Sequence, residues 1–331
     1  MVRTLLVCAD NAPSSFAAQC RNAFAQLGHE ISTFNYRQFQ LHRSSITASL
    51  MNLMLKRTVL AVQPELVLVI KGEAIQAGTI SNIRKAGITT ANWILDEPFG
   101  KFGKFNRVTN LNEYDHVFSF DDGVAQQLTK QGIPAAYLPV GADPALHHEV
   151  VQVAKRKYQR EVAFMGSHHP KREELFTKLS TVGIPITVSG YRWNTVAKNS
   201  PLAAHIEPEV FKANKSVKDC ELMCRYFNLT KINLNLHHAQ AVRGGASLRL
   251  FECTATNSFL MCDNLPGLDR LYKPNKEMVF YNDAADLRRK IEYYLAHDAE
   301  RNKIANAGQQ RTLKEHKVVD RVREIVQTMG T

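Results

Sequence analysis

The chain has 331 residues, 44% of them hydrophobic and 22% charged, with a formal net charge of +11. That length exceeds one comfortable core and suits two domains, and no apolar run approaches the roughly 20 residues needed to span a bilayer. The basic balance favours anionic partners, namely phosphorylated metabolites, an anionic membrane surface or nucleic acid. The lack of helix-turn-helix, RNP and zinc-finger signatures argues against specific nucleic-acid recognition.

The first apolar stretch, residues 4–8, is too short for a signal peptide and runs into Asp10. It reads as a buried strand, and the expectation is a cytoplasmic protein. The six cysteines are scattered without a CxxC pair, as in a reducing compartment. A helix pattern over 16–27 stops at Gly28 and a strand follows over 29–34. Helical spacing returns over 45–62. The run 65–70 (ELVLVI) suits a parallel strand buried on both faces. A helix over 74–86, strands over 89–95 and 114–120, a helix over 124–131 and a strand over 136–140 complete a doubly wound α/β domain. Ligands of such sheets sit beyond the carboxyl ends of the strands, which makes Asp10, Lys71, Asp96 and Asp121 candidates.

Residues 141–159 are polar and read as a connection, with His147-His148 in water. A second alternation follows: strand 161–165, helix 171–181, strand 184–189, helix 217–228, strand 231–236 (KINLNL), helix 248–256, strand 258–262 and strand 277–281. Helices over 284–297, 299–316 and 318–329 close the chain.

Several stretches carry candidate chemistry. In 247–252 (SLRLFE), Arg249 and Glu252 share a helix face behind the Gly244-Gly245 run. They suit either the phosphate and sugar diol of a nucleotide-sugar or an internal salt bridge. Gly166-Ser167-His168-His169-Pro170-Lys171-Arg172 follows a strand and opens a helix, where backbone amides and Arg172 suit a diphosphate. It is neither a P-loop nor a GxGxxG turn. The paired histidines lack metal-ligand spacing, so no metal site is expected; His237 is read as a hydrogen-bonding ligand residue. Asp121-Asp122 reads as a turn and helix cap. Asp96, before Glu97-Pro98, is the first choice for a general base and Asp10 the second.

Taken in order, stretches along most of the chain resemble the CgeB-like glycosyltransferase family, related to family-1 and family-4 sugar transferases. They are 92–98 (NWILDEP), 114–121 (YDHVFSFD), 137–143 (YLPVGAD), 162–172 (VAFMGSHHPKR), 227–236 (FNLTKINLNL), 247–252 (SLRLFE) and 260–271 (LMCDNLPGLDRL). The resemblance implies a GT-B fold, with two Rossmann-like doubly wound domains facing across a cleft. These are an acceptor-side domain over 1–145, joined by the C-terminal helix at 318–331, and a nucleotide-sugar domain over 155–316. It implies transfer of a sugar from a nucleotide-sugar to an acceptor hydroxyl. Alternatives of the same fold are a non-catalytic nucleotide- or sugar-binding protein and a sugar-nucleotide epimerase. By the same resemblance Gly166, Ser167 and Arg172 approach the donor phosphates, and Tyr191 and Arg192 lie where the base is held. Glu252 matches the ribose-binding second acid of an E-x7-E motif, whose first acid is replaced by Gly244, and Arg249 joins this set. No cofactor beyond the donor is implied, basic side chains and helix N-termini taking the place of a metal ion. The partners are the donor, an unknown acceptor and, peripherally, an anionic membrane surface.

Overall fold

The computed structural model describes residues 1–8, 10, 12–39, 45–99, 108–150, 158–207, 216–241 and 243–330. The chain divides into two units, one of Met1–Val140, Ala239–Ala246 and Val318–Thr331, the other of Gly141–His238 and Ser247–Lys317.

The first unit runs β1 (Arg3–Cys8), α1 (Phe16–Gln26), β2 (Glu30–Asn35), α2 (Ser45–Val62), β3 (Leu66–Ile70), α3 (Thr79–Lys85), β4 (Thr89–Ile94), β5 (His116–Ser119), α4 (Asp122–Lys130) and β6 (Ala135–Tyr137). Its six strands are parallel in the order β2-β1-β3-β4-β5-β6. The apolar run of β3 is buried at every position, as a central strand covered on both faces must be. Leu5, Val7, Val67, Val69 and Val117 pack there with Leu55, Ile80 and Leu128 from the helices. Asp121 caps α4, its carboxylate accepting from Val124 N at 3.1 Å.

The second unit runs β7 (Arg160–Met165), α5 (Pro170–Thr181), β8 (Ile186–Ser189), α6 (Val217–Asn228), β9 (Thr230–Asn235), α7 (Leu248–Ala255), β10 (Leu260–Asp263), β11 (Val279–Tyr281), α8 (Ala284–Ala296) and α9 (Asp298–Glu315). The order is β11-β10-β9-β7-β8, again all parallel. A capping box of Ser216 and Asp219 starts α6. The last helix, α10 (Val318–Met329), belongs to the first unit and packs on α1.

Three sequence readings need revision. The helix expected over 74–86 forms only as α3, because Gly78, at φ 79°, breaks the backbone just ahead of Thr79. The strand expected from 114 begins at His116, since Leu111–Glu113 is a 3-10 turn. The segment Ala239–Ala246, read as part of the second domain, is bonded into the first unit. Asp122 N donates to Arg243 O at 2.9 Å, Arg243 N to Asp121 Oδ2 at 2.9 Å, and Tyr137 Oη to Gly244 O at 2.7 Å.

Candidate functional site

In an open parallel sheet the ligand crevice lies where successive strands depart in opposite directions. In the second unit that point falls between β7 and β9, because β8 lies on one side of β7 and β9 on the other. The loops after these two strands, 166–169 and 236–238, therefore define the site.

Arg172 joins them. Its Nε and Nη2 donate to Leu236 O at 3.1 and 2.8 Å, and its Nη1 donates to Ser167 O at 2.8 Å. Its guanidinium lies 5.0 Å from the Phe164 ring centroid. Burial lowers its pKa to about 10, opposed by the charge of Asp263, so it stays cationic at neutral pH. Three bonds of five donor hydrogens fix the fork and leave capacity for an anion. The helices on either side add to this. The N-cap side chains, His169 of α5 and Ser247 of α7, make no capping bond to the first amides of their helices. The Ser247 hydroxyl instead donates to Asn235 Oδ1 at 3.1 Å. Two helix N-termini and a fixed guanidinium at the carboxyl end of the sheet suit a diphosphate.

The 166–169 loop is stitched to the loop after β8. His168 N donates to Tyr191 O at 2.8 Å and Trp193 Nε1 to Gly166 O at 2.7 Å. Gly190, at φ 137°, makes the approach possible, since a Cβ there would lie 2.3 Å from Gly166 O. Gly190→Ala is expected to cost about 2–4 kcal/mol through strain and backbone displacement. A melting temperature lowered by several degrees, with nucleotide binding lost, would bear this out.

His237 and Asp263, at the ends of β9 and β10, form a buried pair. Nδ1 lies 2.7 Å from Asp263 Oδ1, which also accepts from His237 N at 2.9 Å. Burial opposes ionisation of Asp263, but the His237 hydrogen bonds and the charges of His237 and Lys171 outweigh it and hold its pKa below the ordinary value. The ionised carboxylate only accepts, so Nδ1 carries the proton. Nε2 is buried with no partner among the described residues. It accepts from a ligand hydroxyl in the neutral ring and donates to one in the charged ring, so it suits a hydroxyl in either state. His237, Cys262 and Asp263 offer ligand atoms within 4.8 Å of one another, a grouping that the sequence reading did not anticipate. The 2.7 Å contact is shorter than the roughly 3.3 Å between two ligands of a tetrahedral zinc at 2.0–2.1 Å. The grouping has the geometry of a hydrogen-bonded pair.

Glu252 is 1% exposed. One oxygen lies 2.9 Å from Arg249 Nη1 and the other 3.7 Å from His147 Nε2. His147, expected in water, is wholly buried. Residues 144–147 fold as a turn in which Asp143 N donates to His147 Nδ1 at 3.3 Å, which directs Nε2 inward. Burial depresses the His147 pKa below its ordinary 6.5; Glu252 and Asp143 raise it, Arg249 and His148 lower it. With the folded value below the unfolded one, the unfolded chain binds the extra proton. Stability is full above about pH 6.5 and is lost as pH falls through the folded value. Melting temperature is expected to drop between pH 7 and 5.5, and His147→Gln to flatten that slope.

In the first unit the reversal lies between β1 and β3. Asp10, after β1, is exposed, and its Oδ1 accepts from Ala12 N at 2.9 Å as a turn residue. After β3, Lys71 holds φ 67°, an uncommon conformation for a side-chain-bearing residue. Its Nζ reaches Asp96 Oδ2 at 2.5 Å, and Gln240 Nε2 donates to Asp96 Oδ1 at 3.0 Å. Asp96 is thus a fixed, partly exposed carboxylate.

In the second unit, then, Gly166, Ser167, Arg172 and His237 gather at one crevice. Tyr191 follows beside it, exposed, with Arg192 at φ 66°. Arg249 is the outward member of its pair, with a side chain 18% exposed, and Glu252 lies beneath it. Lys71, named among the residues following strands, is confirmed in that place beside Asp96, whereas Asp263 and Gln240 were not singled out. Asp263 was legible only as the acid closing a buried strand.

The two parallel sheets and their helices define an α/β protein of the GT-B class. A family described as Glycosyl transferase-like matches residues 150–327, more than half of the chain, and the chain belongs to it. It is therefore a glycosyltransferase by family and GT-B by fold. Spore protein CgeB of Bacillus subtilis is 21% identical over 266 residues, covering 76% of this chain and 79% of that one. Sucrose-phosphate synthase from Thermosynechococcus elongatus superposes with a TM-score of 0.71 at 10% identity, over 98% of both chains. HepE of Anabaena, solved in complex with UDP and glucose, gives a TM-score of 0.71 at 11% identity over 100% of both.

Proposed function

We infer that the protein transfers a sugar from a nucleoside-diphosphate sugar to an acceptor hydroxyl, without a metal ion. The observation that carries this is Arg172, fixed across the β7/β9 crevice beside two helix N-termini whose N-cap side chains make no capping bond. As the glycosidic bond to the donor breaks, negative charge accumulates on the departing diphosphate. Preorganised cations and amides stabilise that charge at no further reorganisation cost. Arg172 and Arg249 supply the cations. Glu252 holds Arg249 in place from below, a positioning role in place of direct ribose contact. Asp263 orients His237 so that Nε2 meets a donor hydroxyl. Asp96, steadied by Lys71 and Gln240, takes the proton of the acceptor hydroxyl. The neighbour solved with UDP and glucose makes a uridine diphosphate sugar the first donor to try.

The test is nucleotide release, followed by ³¹P NMR in EDTA, over a panel of nucleotide-sugars with sugar, lipid and protein acceptors. Release coupled to a glycosylated product supports transfer. Binding without release from any pair would leave a non-catalytic binding protein, and conversion of the donor sugar alone would leave an epimerase.

A further inference from the structure

A helix laid on a sheet buries one stripe and turns polar residues to water. On α2 the buried stripe is Met51, Asn52, Leu55 and Val59. The opposite face is apolar as well: Ile46, Leu50, Leu53 and Leu60 are 80%, 48%, 44% and 65% exposed. At about 100° per residue these four fall within one arc of about 80°. Arg57 lies inside that arc, and Lys56, half-buried, lies about 40° beyond its edge. These two are the only charged residues of α2, which has no Asp or Glu. Of the eleven large hydrophobic side chains exposed among the described residues, four stand on this one helix, which makes it a patch and not scatter.

We propose that this face of α2 docks the protein on an anionic lipid bilayer. The four apolar side chains enter the boundary between headgroups and acyl chains, and Lys56 and Arg57 meet lipid phosphates. Charge selects this occupant. The helix offers cations with no carboxylate of its own to answer them, so a second copy of α2 would bring unpaired like charges together. An anionic headgroup layer neutralises them, and the chain's net charge of +11 adds long-range attraction. No helix among the described residues is long and apolar enough to cross a membrane, so the contact is peripheral.

Full-length protein would be sedimented with vesicles of phosphatidylcholine alone and of phosphatidylcholine with phosphatidylglycerol. The expected result is pelleting with the anionic vesicles, weakened by salt. Leu53→Glu/Leu60→Glu and Lys56→Glu/Arg57→Glu should each reduce the bound fraction about tenfold or more. All four positions lie outside the buried stripe, and unchanged melting temperature and nucleotide binding would confirm intact folding. Wild-type protein remaining in the supernatant, or binding untouched by either double substitution, overturns the proposal. So does a wild-type dimer in sedimentation velocity that Leu53→Glu/Leu60→Glu converts to monomer, which would assign the face to a second copy.

Discussion

Arg172→Ala is expected to lower kcat/KM for the donor by about 10²–10³, the cost of removing one preorganised charge from a developing oxyanion. Two losses combine. The cation disappears from the crevice, and the loops after β7 and β9 lose the fork that ties Ser167 O and Leu236 O to one side chain. Arg172→Lys separates them. It keeps the charge but loses the planar fork, so a partial recovery is expected, because an ammonium on a flexible stem cannot hold both carbonyls. Steady-state kinetics at saturating acceptor, beside a melting curve for each variant, would check this. Equal activity in Arg172→Ala and wild type would remove the diphosphate from this crevice.

The second large effect is expected at Asp96. Asp96→Asn preserves shape and can still accept from Gln240, but it cannot take a proton. A loss of about 10²–10⁴ in kcat is expected, with little change in donor KM. The stability cost is small: the Lys71–Asp96 pair is partly solvated, with side chains 36% and 23% exposed. Screened pairs of this kind contribute at most about 1 kcal/mol. A fall in kcat without a fall in melting temperature is thus the signature. If transfer proceeds with retention and needs no enzyme base, Asp96→Asn will lose far less, and the role assigned to Asp96 falls.

Much of the architecture was legible because parallel strands covered on both faces leave continuous apolar runs. The runs at 65–70 and 231–236 place β3 and β9 to within a residue or two, and helical spacing places α2, α6 and α10. The spacing of Arg249 and Glu252 put them on one helix face and left a salt bridge as one of two readings. It could not foretell their depth, which depends on His147 folding in from a segment with no periodicity. The His237–Asp263 pair spans 26 residues and exists only because β9 and β10 are neighbours in the sheet. The bonding of Ala239–Ala246 into the first unit rests on main-chain hydrogen bonds to Asp121, Asp122 and Tyr137, for which a Gly-rich polar segment carries no pattern. Long-range polar contacts of this kind follow from topology, not from local composition.

The most direct test of the central claim is the melting temperature of the protein with uridine diphosphate and other nucleoside diphosphates in EDTA. Ligand at 100 times its Kd stabilises the native state by about 2.7 kcal/mol. A rise of several degrees that Arg172→Ala abolishes is the predicted result. No rise with any nucleoside diphosphate, a rise only with an added divalent cation, or a rise that survives Arg172→Ala would contradict a metal-independent donor site at the β7/β9 crevice.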